Sequence, residues 1–411
     1  HIKKHVPGQS LTKKRKRYDI MKASKVVLTM NKTQRISLYD LLDEVEEPRR
    51  GNAIKHNLKD IIFIGLLSTI CNADDFTGMQ IFGETHKELF EQFLELPHGI
   101  PSHDTFDDVF SAIDPQQLAS CFEQWLSLLC SDLKDARLVA IDGKTIRRSK
   151  SQTKKATHVV TAFSSDLKLV LGQLSTDEKS NEITAIPRLL NMFGLKGKTI
   201  TIDAMGTQTE IAKTIINGGG DYLLTLKENQ PNLLNDIRLY LNTEIISQKK
   251  DSLKEAGLYS STKEKCHGRI ENRECYLCDT IDWLEQKEAW AGLTGAGVII
   301  SKREINGQLS EQSHYFIYSH KEITAQEIME IKRSHWNIEN SLHWILDITF
   351  REDENRARTG NAAINLNILR KQALQLMKRD TTVKGSMKSK RLRCGWDISF
   401  ALQLLGISII A

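Results

Sequence analysis

The chain has 411 residues, 40% hydrophobic and 27% charged, with a net charge of +5, a balance ordinary for a folded protein of two or three domains. No apolar stretch approaches the ~18 uninterrupted residues of a membrane helix, and no apolar segment follows the first charges, which argues against a secretory signal. Seven scattered cysteines suit a reducing cytoplasm better than a disulfide framework.

Residues 1–34 read as a basic arm, with ten Lys/Arg against Asp19 alone, a local +9. Residues 35–135 read as a helical amino-terminal domain, because apolar residues recur at three- and four-residue spacing through IKHNLKDIIFIGLLSTI and LASCFEQWLSLLCSDL. Pro101-Ser102-His103-Asp104 predicts a turn into a helix capped by Ser102. From 136 to 378 the pattern is mixed. RLVAID, THVVTAFS and KLVLGQLS predict three strands in meander order. Helix NEITAIPRLLNMFG, strand KTITID, helix QTEIAKTIING, strand YLLTLK and helix NQPNLLNDIRLYL follow, which together predict an α/β mixed sheet flanked by helices. Gly218-Gly219-Gly220 lacks the lysine and hydroxyl of a phosphate-binding loop and reads as a helix-to-strand turn.

Residues of about 245–320 predict an inserted β-rich region, from GRIENRECYLCD, GVIISKREI and HYFIYSH. Helix resumes near 324, with Thr324 as cap, and runs through Glu339; another covers about 361–378. Residues 379–411 read as a basic carboxy-terminal segment, since 378–393 carry a local +6 and the chain outside both basic ends sums to −10. Basic ends on an acidic middle predict arms that reach phosphates.

Asp142 and Asp203 end two of the apolar runs. Asp142 can be an ordinary Asp-Gly turn and Asp203 a cap for helix 208–217. The other reading is a pair of carboxylates carried to one sheet edge. Lys144, Thr145, Arg147 and Arg148 then suit a phosphate backbone, and the small Ala204 and Gly206 leave room for a nucleic-acid strand. Glu339 lies on a helix stripe with Lys332, His335, Trp336, Leu342 and His343, an odd mixture for a plain core face. The rival reading packs Trp336 and Trp344 inward and leaves Glu339 solvated. Asp347, Glu352, Asp353 and Glu354 compete as acids, although REDENRAR reads as a charged surface segment with Arg351, Arg356 and Arg358 near DNA. Three carboxylates from two strands and a helix can hold two Mg²⁺ ions against a phosphodiester, and Mn²⁺ should substitute through its shared oxygen preference.

Cys275 and Cys278, with Cys266 and His267 upstream, invite a zinc site. Residues i and i+3 of a strand point to opposite faces, so these read as structural cysteines. No nucleophile elbow and no dinucleotide-binding glycine motif is present.

The segments AIDGKTIRRS, KSNEI, TIDAMGTQ, DYLLTLKENQ, HGRIENR and HWNIENSLHWILDITFREDENRAR resemble, in that order, bacterial insertion-sequence transposases of the DDE type, in the branch of the H-repeat-associated proteins. The resemblance spans about 35–378. It implies a ribonuclease-H-like catalytic domain with Asp142, Asp203 and Glu339 as the metal-binding triad and a β-rich insertion before the glutamate. It further implies cutting of transposon ends and joining of the 3′-OH to target DNA, a homodimer on paired double-stranded ends, and a cytoplasmic, nucleoid-associated location. Relatives carry Tyr, Arg and Lys around the glutamate, where this chain has Lys332, His335 and Leu346. Candidates to grip the DNA end are therefore Lys332, Arg333 and His335. An inactive DNA-binding remnant and a metal-dependent nuclease without strand joining are the alternatives.

Overall fold

The computed structural model describes residues 38–51, 54–130, 135–150, 155–176, 181–266 and 268–407; the arm at 1–34 and His267 lie outside them. The described residues form two units. One runs from Asp114 to Lys371, and the other comprises those up to Ile113 and those from Gln372.

The first unit opens with α1 (Pro115–Leu129), set by Asp114, whose side chain accepts from the Gln116 and Gln117 amides, and by Pro115 in the first turn. The predicted meander follows as β1 (Leu138–Thr145), β2 (His158–Ser164) and β3 (Leu169–Thr176). Then come α2 (Glu182–Leu190), β4 (Thr199–Ile202), α3 (Thr209–Asn217), β5 (Asp221–Leu226) and α4 (Pro231–Tyr240). Gly218–Gly220 make the expected turn from α3 to β5, with Gly219 at φ +76°.

The insertion supplies β6 (Tyr259–Cys266), β7 (Arg269–Cys278), β8 (Gly295–Ile305) and β9 (Gln308–Tyr318). All nine strands form one sheet in the order β3-β2-β1-β4-β5-β9-β8-β7-β6. β1, β4 and β5 are mutually parallel, whereas β2, β3 and β9 run antiparallel to their neighbours. The first five strands, in the order 3-2-1-4-5 with β2 reversed, make the ribonuclease-H-like mixed sheet. The inserted strands do not stand apart; they extend this sheet by hairpins beyond β5. β6 is a further strand that the apolar pattern does not signal, because YSSTKEKC is polar, as an exposed edge strand can be.

Alternation along each strand divides the core between the sheet's two faces. Val139, Ile141, Ile200, Ile202 and Leu224 pack with Ile186 and Leu189 of α2 and Ile211 and Ile215 of α3. Leu223, Leu277 and Phe316 pack on the opposite face with Ala325, Ile328 and Ile331 of α5 (Ala325–His335). Cys275 belongs to the second cluster and Cys278 to the first. The two thiols lie on opposite faces, as strand geometry requires of i and i+3.

Thr324 caps α5 in a reciprocal capping box with Glu327. The helix does not run straight through Glu339 as the 3.6-residue period predicts. It ends at His335, and a π-helical turn occupies Glu339–His343 before α6 (Trp344–Ile348). Such wide turns are rare and frequent at functional sites. α7 (Ala362–Arg379) follows.

In the second unit, helix Leu58–Ile70 is buried along nearly its whole length, so helices must surround it. Phe76–Thr85, His103–Ala112, Met387–Trp396 and Ile398–Leu404 do so. Ser102 caps His103–Ala112 as predicted, accepting from the Thr105 amide. The carboxy-terminal basic stretch is not wholly a solvated arm. Arg391 is buried and donates to the Thr69 carbonyl and to Asp74, and Lys390 pairs with Asp380 at 3.0 Å. A guanidinium turned inward needs such partners, and helices supply them where local composition suggests only a charged tail.

Candidate active site

Asp142 stands on β1 directly after the buried residues Val139, Ala140 and Ile141. β4 lies parallel beside it with Ile141 opposite Ile202, so Asp142 and Asp203 are the next residues on neighbouring strands. Asp203 is also a cap: its Oδ1 accepts from the Met205 and Gly206 amides at 3.1 and 3.4 Å. It therefore caps the short turn Ala204–Gly206 and not the predicted helix, which begins at Thr209 after Gln208 with no side-chain cap.

Glu339 opens the π-helical turn and His343 closes it. Asp142, Glu339 and His343 each offer a ligand atom, and these atoms lie within 4.8 Å of one another. His343 is buried, with Nδ1 3.4 Å from Asp142 Oδ2 and 3.5 Å from Glu339 Oε2. Sequence placed His343 on the stripe without assigning it a role.

The electrostatics are those of crowded acids. Burial, then the charges of Glu339 and Asp203, push the Asp142 carboxyl up to about 8. The His343 imidazole holds Glu339 below the ordinary carboxylate range, while burial pushes His343 itself down. Burial and mutual repulsion thus act together against charging all the acids of the group at once. Glu339 remains half exposed, and Trp336 and Trp344 are both exposed rather than packed inward.

Among the predicted cations, Lys144 is the clearest departure. Its ammonium turns inward to Asp347 and to Glu352, the latter at 2.8 Å, and is spent on internal charge. Glu352 overturns the reading of REDENRAR as wholly surface: it is 0% exposed and also accepts from Asn367 at 2.8 Å. Burial alone would raise its carboxyl, but Lys144 and Arg370 override this and hold it at about 2. Lys332 donates to Thr225 on β5; burial, with Lys227, pushes it down to about 8. His335 Nδ1 lies 2.8 Å from Thr201 Oγ1, and burial, with Lys332, pushes the imidazole down to about 3. Arg333 faces away and meets Glu264 with two contacts of 2.5 and 2.8 Å. Arg147, Arg148, Arg351, Arg356 and Arg358 are exposed. Arg147 reaches Asp353 at 3.2 Å, Arg351 pairs with Glu354, and Arg148 and Arg358 each donate to a backbone carbonyl.

A buried pair that sequence reasoning missed lies behind Asp142. His158 Nε2 is 2.5 Å from Glu182 Oε1, and His158 Nδ1 is 2.9 Å from Thr145 Oγ1. Gly143 fits beneath it, where a Cβ would stand 2.4 Å from Glu182 Oε1.

The profile of the "Transposase DDE domain" family matches residues 133–376, and that of its "DDE_Tnp_1-associated" region matches 39–126. "H repeat-associated putative transposase YhhI" of Escherichia coli is 36% identical over 376 residues, 90% of this chain and 97% of that protein. "Uncharacterized protein in dhlA 3'region" of Xanthobacter autotrophicus is 42% identical over 280 residues, 67% of this chain and 92% of that protein. A solved piggyBac transposase synaptic complex with hairpin DNA aligns at 11% identity over 89% of this chain and 76% of that one, a distant likeness with a TM-score of 0.41.

Proposed function

The chain belongs to the transposase DDE-domain family, and we propose that it cuts transposon ends and joins the freed 3′-OH to target DNA. The observation that carries this reading is the meeting of Asp142 with Glu339 beside Asp203, in a site where burial and then the neighbouring acids raise the Asp142 carboxyl. Carboxylates that repel one another so strongly fit a divalent cation, whose charge removes the repulsion. Asp142, Asp203 and Glu339 would hold two Mg²⁺ ions, with Mn²⁺ able to substitute. When bound, such a pair stabilises the attacking and leaving oxygens of an in-line displacement.

The protein's own part is to deprotonate, position and bind. Asp142 must give up its proton before it can ligate. The first displacement forms a bond from water oxygen to phosphorus and breaks the bond to the 3′-oxygen, which leaves as the 3′-OH. In the second, that hydroxyl oxygen bonds to a target phosphorus and breaks its bond to the target strand's own 3′-oxygen, which leaves and takes up the proton as a new 3′-OH. Neither step needs a protein nucleophile. The exposed Arg147, Arg148, Arg351, Arg356 and Arg358 are proposed to hold backbone phosphates, whereas Arg333, Lys332 and His335 would have to leave Glu264, Thr225 and Thr201 to join them. Lys144 would support the site from within. A homodimer on paired ends, working at the nucleoid, completes the proposal; no described helix is long and apolar enough to cross a membrane.

The test uses DNA ends taken from the inverted repeats beside the gene. Asp142→Asn is expected to abolish strand cleavage while gel-shift binding persists, and full cleavage by this variant would remove Asp142 from the site. Pre-cut 3′-OH ends supplied with target DNA separate the classes. Joining marks a transposase, cutting without joining marks a nuclease, and binding alone marks an inactive remnant.

A further inference from the structure

The acid site contains a nitrogen donor that the three-carboxylate scheme does not use. We propose that His343 Nδ1 is a metal ligand alongside Asp142 and Glu339, giving the site a mixed oxygen–nitrogen character that favours Mn²⁺ over Mg²⁺. This rests on the proposed reading of Asp142, Asp203 and Glu339 as metal carboxylates.

Distances carry the argument. His343 Nδ1 lies 3.4 Å from Asp142 Oδ2 and 3.5 Å from Glu339 Oε2, beyond the roughly 2.7–3.2 Å of a normal N–H···O hydrogen bond. Ligands about 2.1 Å from one octahedral ion stand about 3 Å apart when adjacent and about 4.2 Å when opposite. The three donors lie within 4.8 Å of each other. Their spacing lies at the outer limit of hydrogen bonding and suits a shared ion. Burial keeps the imidazole in place: His343 is 4% exposed, and its Nε2 has no partner among the described residues.

Glu339 and His343 stand at the two ends of the π-helical turn. In a regular helix Glu339 and His343, four residues apart, stack one above the other. The wider turn over Glu339–His343 changes that stacking. Both side chains now face Asp142 on β1. Nitrogen ligation shifts the ion preference because Mn²⁺, a softer transition ion, accepts an imidazole more readily than Mg²⁺, which takes oxygen ligands and keeps its waters.

The full chain is titrated with Mn²⁺, and the bound ion is probed by electron spin-echo modulation for directly bonded ¹⁴N. Wild type is expected to show imidazole modulation and to bind Mn²⁺ more tightly than Mg²⁺ in competition. His343→Ala should lose the modulation and weaken Mn²⁺ at least the roughly 10-fold that loss of an outer-shell partner costs, with a smaller effect on Mg²⁺. His335→Ala should keep the modulation. Mn²⁺ that binds, is lost in Asp142→Asn, and shows no nitrogen would overturn the role of His343 and leave the carboxylate site standing. Mn²⁺ binding indifferent to Asp142→Asn would remove the underlying reading as well. The wild-type spectrum decides the point even if a variant fails to fold.

Discussion

Replacing Glu352 by glutamine tests whether buried charge holds the strand that carries Asp142. Glu352 is fully buried among Lys144, Asn367 and Arg370, and Lys144 is two residues from Asp142. Holding the carboxyl at about 2 instead of its ordinary 4.5 corresponds to about 3 kcal/mol of stability at neutral pH. Breaking a buried pair by removing one partner costs roughly 3–5 kcal/mol in general, which agrees. For a unit of this size roughly 2–4 °C accompanies each kcal/mol, so Glu352→Gln should lower Tm by about 6–12 °C at pH 7. The sign of the pH dependence follows from a depressed carboxyl. Its contribution is complete above 4.5 and fades as pH falls towards 2, leaving about 2 kcal/mol at pH 3.5. Thermal melts of wild type and variant at both pH values therefore converge as acid is added. An equal gap at pH 7 and pH 3.5, or none at pH 7, would refute the reasoning.

Gly143→Ala is expected to cost about 1–3 kcal/mol, because the new methyl would sit 2.4 Å from Glu182 Oε1 and 2.5 Å from His158 Nε2 in a buried pair with nowhere to swing. Denaturant unfolding measures this, and an unchanged midpoint would show that the pair is not rigid. Asp142→Asn is expected to stabilise the metal-free chain, since a carboxyl raised from 3.8 to about 8 makes folding less favourable as pH climbs between those values. The variant should melt above wild type by several degrees at pH 8 and less so near pH 5. Metal at 100 times its Kd should add about 2.7 kcal/mol to wild type alone. A variant that melts lower throughout contradicts the crowding.

The sheet was legible because its signals are local. RLVAID and KTITID announce buried strands ending in acids, and their pairing as parallel neighbours brings Asp142 beside Asp203. The site's other half was less so. A regular period predicts a straight helix through Glu339, yet the π-helical turn over Glu339–His343 leaves no mark in hydrophobic spacing. REDENRAR reads as surface because its neutralising partner Lys144 lies 208 residues away. Tyr259–Cys266 reads as no strand because an edge can be polar. Where partners are distant in sequence, charge alone does not reveal burial.

β1 therefore meets opposed demands at one end. The proposed function asks it to present Asp142 to other acids, which costs stability in the absence of a cation. Residues 142 and 144 face one side of the strand, and 143 and 145 the other. Lys144 reaches Glu352 and Asp347 on the first side, while Gly143 and Thr145 lie against the His158–Glu182 pair on the second. Buried ion pairs add little net stability over apolar packing, so an aliphatic clamp would serve a merely structural strand as well. What charged partners add is direction, because each bond accepts one geometry. Holding a carboxylate against its neighbours' repulsion, at a position fixed to fractions of an ångström, is the task that would retain them on both faces.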